Sequence, residues 1–323
     1  MLRLLQSIFG SEKQGSYPES LVKEAIERAV DGTDPWLRAV SGYKKKLRPA
    51  VIRAIDHVVA LVDGLTTPMP MCLGNYTDDH RLKSFFISAT HMKKVLAGDR
   101  ALAEFMQGPG EAVPRIIALL AMEKQERMIF GAALSGDVVM KDVPQMTVSF
   151  DEHRFLDPSG DEEETRRRLK RRAFDHLLGL SLKCLANVKW ERENLERRRA
   201  LLQAKLNLLE REGWGFDQSD STEKLCVADV EMQVGEIEAQ LEGLGGDDRM
   251  LETYLGIVAD VLGHPEEHLL ARSETIFVDR MGIKRSEASS DARELTLSEL
   301  YNSEGRSLVM MLVSLQMEEL RGG

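Results

Sequence analysis

Between Tyr17 and Asp31 the apolar residues Leu21, Val22, Ala25, Ile26 and Val30 fall three and four positions apart, the repeat of one helix face. Asp34-Pro35 has the form of a helix start, Asp as N-cap and Pro at the first position. Leu47, Val51, Ile55, Val58, Val59 and Val62 mark a second helix over 46–62, where Pro49 is tolerable only near the first turn. Two prolines and a glycine make 66–75 a loop. Arg81 to Phe105 predicts one or two more helices, broken near Gly98-Asp99. After Gly108-Pro109-Gly110, Val113 to Leu134 predicts another, including the run Ile116-Ile117-Ala118-Leu119-Leu120.

The pattern then changes. Gln145 to Phe150 alternates and Arg154-Phe155-Leu156 follows a polar break, which predicts a small β-hairpin or two short strands. A long helix should begin near Asp161. Glu162, Glu163 and Glu164 stand four residues before Arg166, Arg167 and Arg168, each a favourable pair worth about 0.2–0.5 kcal/mol. Leu195, Leu202 and Leu209 recur every seven residues, and Val227, Val234 and Leu241 do so after a polar loop. Residues 161–213 carry 14 basic and 10 acidic side chains, and 222–250 carry 2 and 8. Opposite charge and matched spacing predict that the two segments fold back on each other.

Met250 to Leu262 predicts a short helix, with another starting at Gly263-His264-Pro265. Thr275 to Val278, Leu295 to Tyr301 and Ser307 to Leu315 predict strands, the last two joined by the turn at 302–305. The expected fold is mainly α within the α+β class. A helical body spans 1–140, a short β-hairpin or linker 141–160, a long antiparallel coiled-coil hairpin 161–245, and a mixed α/β region with a small β-rich element 246–323.

Composition narrows the functional classes. At 323 residues with 43% hydrophobic positions the chain can bury a core, and its net charge of −10 argues against a generally basic nucleic-acid binder. Three dispersed cysteines, Cys72, Cys184 and Cys226, suit a reducing compartment, so a cytoplasmic location is expected. The apolar start Met1 to Gly10 lacks the long core and cleavage site of a signal peptide, and no run is long enough for a transmembrane segment.

His264-Pro-Glu-Glu-His268 matches the H-x-x-E-H spacing of inverted zinc peptidases, in which two histidines share a helix face. Only five residues carry it, and a charged helix start accounts for them better, so neither metal nor other cofactor is assigned. Arg166, Arg167, Arg168, Arg171 and Arg172 are candidate phosphate contacts, set against the acids that precede them. Trp190, in the most charged stretch of the long helix, and Trp214 and Phe216, in the loop that follows it, are candidate partner contacts. Asp56-His57 and Asp78-Asp79-His80 lack a third partner group, and nucleotide-loop and hydrolase motifs are missing. The expectation is a non-enzymatic scaffold or protein-interaction component of a larger assembly, using the helical arm to bind a protein partner or to self-associate. The alternative is a nucleic-acid-associated factor using the basic helix face, with a metal-dependent enzyme third.

Overall fold

The computed structural model describes residues 17–108, 113–135, 138–212, 221–245, 249–289 and 292–318. In chain order the elements are α1 (Glu19–Gly32), a 3-10 turn (Pro35–Ala39), α2 (Tyr43–Asp63), β1 (Met69–Met71), a second 3-10 turn (Leu73–Asn75), α3 (His80–Phe85), α4 (Ala89–Gly98), α5 (Arg100–Met106), β2 (Arg115–Ser135) and β3 (Val138–Ser159). They continue with α6 (Glu162–Glu212), α7 (Ser221–Gly243), α8 (Met250–Gly263), α9 (Pro265–His268), β4 (Leu269–Asp279), β5 (Lys284–Arg285), β6 (Ala292–Asn302) and β7 (Ser307–Gln316). The chain divides into two units. One holds Tyr17–Ala54 and Asp175–His264; the other holds Ile55–Phe174 and Pro265–Gly323.

The first unit is helical. Leu21, Val22, Ile26 and Val30 of α1 are buried, as are Leu47 and Val51 of α2 and Tyr254, Leu255 and Val258 of α8. Polar pairs fix how these helices meet. Arg28 grips Asp175 through two nitrogens at 2.6 and 2.5 Å, and the buried Asp34 both caps Trp36 N and receives Lys189 Nζ at 2.6 Å. Glu27 takes Lys44, Tyr43 and Arg38, and the Lys44 contact foremost lowers its carboxyl to about 2. Because α2 begins at Tyr43, Pro49 lies inside the helix instead of in its first turn.

The second unit is built on a seven-stranded sheet ordered β3-β2-β7-β6-β4-β5, antiparallel except that β1 runs parallel to β7. Strand β7 takes β2 on one side from Val309 to Gln316, and divides its other side between β6, at Ser307 to Met310, and β1, at Val313 to Leu315. Alternate residues serve two layers. Ile116, Ala118, Leu120 and Met122 join a core with Phe85, Phe86, Met92 and Leu102 from α3 to α5. Leu119, Met310 and Leu312 pack instead with Val62 of α2 and Leu169 of α6. The sheet also curls on itself: Val148 N donates to Gly282 O at 2.7 Å, and Thr147 bridges Ile283, linking β3 to the approach to β5. Gly282 has φ +77°, and a Cβ there would meet Val148 O at 3.1 Å, so the join requires glycine.

Three register shifts divide the β2–β3 ladder, and a non-glycine residue with positive φ sits at each: Asp142, Glu152 and Asp157. These are β-bulges whose extra residue takes the left-handed conformation, one that the short side chains of Asp142 and Asp157 tolerate more readily than Glu152 does. Asp157 is held there by Arg172 at 2.6 and 3.0 Å.

These observations correct the expected fold class. Among the described residues strand reaches 28% against 56% helix, so the β-structure is one seven-stranded sheet instead of small separate elements. The helix expected over 113–134 is β2, and the hairpin expected over 145–156 lies within the single strand β3. Residues 116–122 are buried on both faces, so they carry no period that separates strand from buried helix. A long antiparallel helical hairpin is not shown either. Helix α6 runs 51 residues and α7 only 23. Leu195, Leu202, Leu209 and Val227 are half-buried while Val234 and Leu241 are buried. Heptad spacing identifies the apolar face of a helix, but not what covers it. Among the described residues no helix is long and apolar enough to cross a membrane.

Candidate functional site

Strand β7 accompanies β2 only as far as Met122. From Glu123 onward, the strand paired with β2 among the described residues is β3, and the two continue as a ribbon to Ser135 and Val138. Isolated two-stranded ribbons are marginal in water. This one exposes three consecutive apolar side chains, Met128 at 66%, Ile129 at 40% and Phe130 at 72%, with Met140 exposed on the other strand. Consecutive strand residues point to opposite faces, so both faces of the ribbon are apolar. Side chains brace it: Thr147 Oγ1 donates to Arg127 O at 3.0 Å, and Gln145 Nε2 to Ala132 O at 3.1 Å. Gln145 lies over Gly131, where a Cβ would come within 2.4 Å of its Oε1.

A charge network clamps the ribbon's base to the sheet. Lys124 Nζ sits 2.5 Å from carboxylate oxygens of both Glu274 and Glu299. Lys284 Nζ lies 3.1 Å from Glu126 and from Glu274, and the Tyr301 hydroxyl donates to Glu299. Four strands, β2, β4, β5 and β6, contribute. Burial pushes the Lys124 ammonium down, but Glu274 and Glu299 outweigh it and hold the group above the usual lysine range. Lys124 in turn lowers Glu274, and the Glu299 contact raises the Tyr301 phenol. A lysine held this firmly protonated is no general base. The network fixes strand register.

Where β7 changes partner from β6 to β1, a cleft of about 900 Å³ opens, lined by Thr66, Thr67, Asn75, Asp79, Thr296 and Ser298 among others. Some of its groups are engaged: Asp79 caps Arg81 N and holds the Arg81 guanidinium, and His80 Nε2 meets the Glu294 backbone oxygen at 3.0 Å. Hydroxyls and an amide line it, the Thr296 hydroxyl sharing a contact with Thr275 at 3.3 Å. Elsewhere His153 stacks on Phe86 with ring centres 4.6 Å apart and contacts Phe85 O at 2.8 Å, while His91 meets its edge. Burial pushes His153 below the ordinary histidine value.

The basic run is spent within the protein. Arg166 reaches Val62 O, Leu65 O and Glu162, Arg167 and Arg168 both pair with Glu164, and Arg172 pairs with Asp157. Arg171 also has a partner. Trp190 is exposed, whereas Trp214 and Phe216 lie outside the described residues. His264 turns back onto Asp260 at the end of α8, and His57 Nε2 contacts Leu269 O at 2.6 Å. Among the described residues no group of three or more potential ligands is placed to hold a metal. The ribbon escaped the sequence reading, although its signal is present: Gly136-Asp137 between the apolar runs 128–134 and 138–140 has the form of a two-residue hairpin turn.

Compared with family models, with characterised proteins and with solved structures, the chain has no match.

Proposed function

We propose that this chain is a protein-interaction component that acts by contact rather than chemistry, with the β2–β3 ribbon as its contact element. The observation that carries the reading is the exposed row Met128, Ile129 and Phe130 on a strand whose outer neighbour has ended. Burying such a side chain is worth roughly 1.5–3 kcal/mol, and that free energy is forgone while the ribbon stands in water. The clamp around Lys124 supports the same reading, since a ribbon must be held firmly at its base to present a fixed surface. The arginine run does not favour nucleic acid, because its side chains are engaged in internal pairs.

The test is excision. Arg127 and Thr147 are paired, so removing 128–146 and joining them through Asn-Gly closes a two-residue turn on the existing ladder. Tagged full-length and shortened chains are purified from native cells, and any co-purifying protein is identified and recombined with each as a pure component. The full chain is expected to form a complex, with another protein or with itself, that the shortened chain does not. Equal assembly by both chains would contradict the proposal.

A further inference from the structure

Resting on that reading, we infer that the ribbon's occupant is a second copy of this chain, paired edge to edge along β2 with Gly131 at the two-fold axis. The two outer edges of the ribbon differ. Val148 N points outward to Gly282 O, so in this antiparallel ladder the even-numbered backbone groups of β3 near it, and of β2 opposite them, face away from each other. On β3 the outward series includes Pro144, which has no N–H, and beyond Val143 lie the bulged Asp142 and Lys141. Proline, charge and a bulge are the devices that keep an edge from pairing. On β2 the stretch from Met128 to Ser135 has none of them, and its outward residues are Met128 and Phe130, with Ala132 and Leu134 following in the series; Ala132 O already accepts from Gln145 Nε2 and offers a partner strand its second lone pair.

The β2 edge is also complementary to itself. With Gly131 opposite Gly131 in an antiparallel pair, Phe130 lies opposite Ala132, Ile129 opposite Ala133 and Met128 opposite Leu134. The large Phe130 meets the small Ala132, and outward backbone groups meet outward ones. Gly131 then occupies a non-hydrogen-bonded pair, the closer of the two antiparallel spacings. One two-fold axis would join the ribbons into a four-stranded sheet of order β3-β2-β2-β3, a closed isologous contact.

The experiment is sedimentation equilibrium of the full chain over a hundredfold range of concentration, beside Phe130→Lys and Ala132→Pro. Phe130→Lys places a charge in the contact; Ala132→Pro removes one outward N–H. Both sit outside the cores, so their melting curves should match the parent. A third variant, Gly131→Cys with Gln145→Ala to clear the space its Cβ needs and with Cys72, Cys184 and Cys226 replaced by serine, is oxidised beside Met140→Cys in the same background. The wild type should dimerise, each of the first two variants should weaken dimerisation at least about tenfold, and Gly131→Cys should form a covalent dimer well before Met140→Cys. A monomer at every concentration, a dimer indifferent to both substitutions, or no preference for Gly131 would overturn the inference. A monomeric chain that still binds another protein through the ribbon would refute the second-copy pairing and leave the interaction reading standing.

Discussion

Glu299 is 2% exposed on β6. Its partners are Lys124 and the Tyr301 hydroxyl. Removing one member of a buried pair strands the other, so Lys124→Met should lower stability by about 3 kcal/mol in urea unfolding. Lys124→Met combined with Glu299→Leu should recover most of that loss, because no uncompensated carboxylate remains. Equal instability of the single and double variants would mean that the network acts through shape and not charge. His153 makes a separate prediction. Burial disfavours its charged form, with His91, Asp151 and Glu152 nearby. Its folded pKa lies below the unfolded value of 6.5, so the unfolded chain binds the proton more readily. Its contribution to stability is therefore present above pH 6.5 and declines as pH falls below it. His153→Gln should flatten the wild-type loss of stability below pH 6.5, measured by thermal melting across pH.

At the scale of the element, the ribbon and the sheet should be separable. The two core clusters of the sheet unit draw on β2 only as far as Met122 and on β3 from Val148 to Phe155, apart from the packed Leu156. Excision of 128–146 should thus move the melting temperature by less than about 4 °C. A larger fall would show the ribbon to be part of the core. The same strands explain what the sequence conceals. Their alternation is reset by the bulges at Asp142, Glu152 and Asp157, so no window of β3 shows the period of two for long. In β2 the run from Ile116 to Met122 is apolar at every position because both faces are covered, and Ala118, Leu119, Leu120 and Ala121 are good helix formers. Legible elements have local causes. The start of α6 is visible in Glu162–Arg166 and Glu164–Arg168, and β6 and β7 in their turn-bounded runs.

For the molecule as a whole, the sequence locates apolar faces well and their covering elements poorly. The heptad leucines of α6 and the outward edge of β2 are both such cases, since pairing is a property of distant chain segments. The central claim is that the β2 edge seats a second β2. Amide hydrogen exchange reads this residue by residue. The amides of Ile129 and Gly131 point toward β3 and should be protected at any concentration, while those of Met128 and Phe130 point outward. Protection of Met128 and Phe130 that rises with protein concentration toward that of their odd-numbered neighbours is the predicted result. Exchange of those two amides at the rate of an open strand, unchanged at the highest concentration reached, would contradict it.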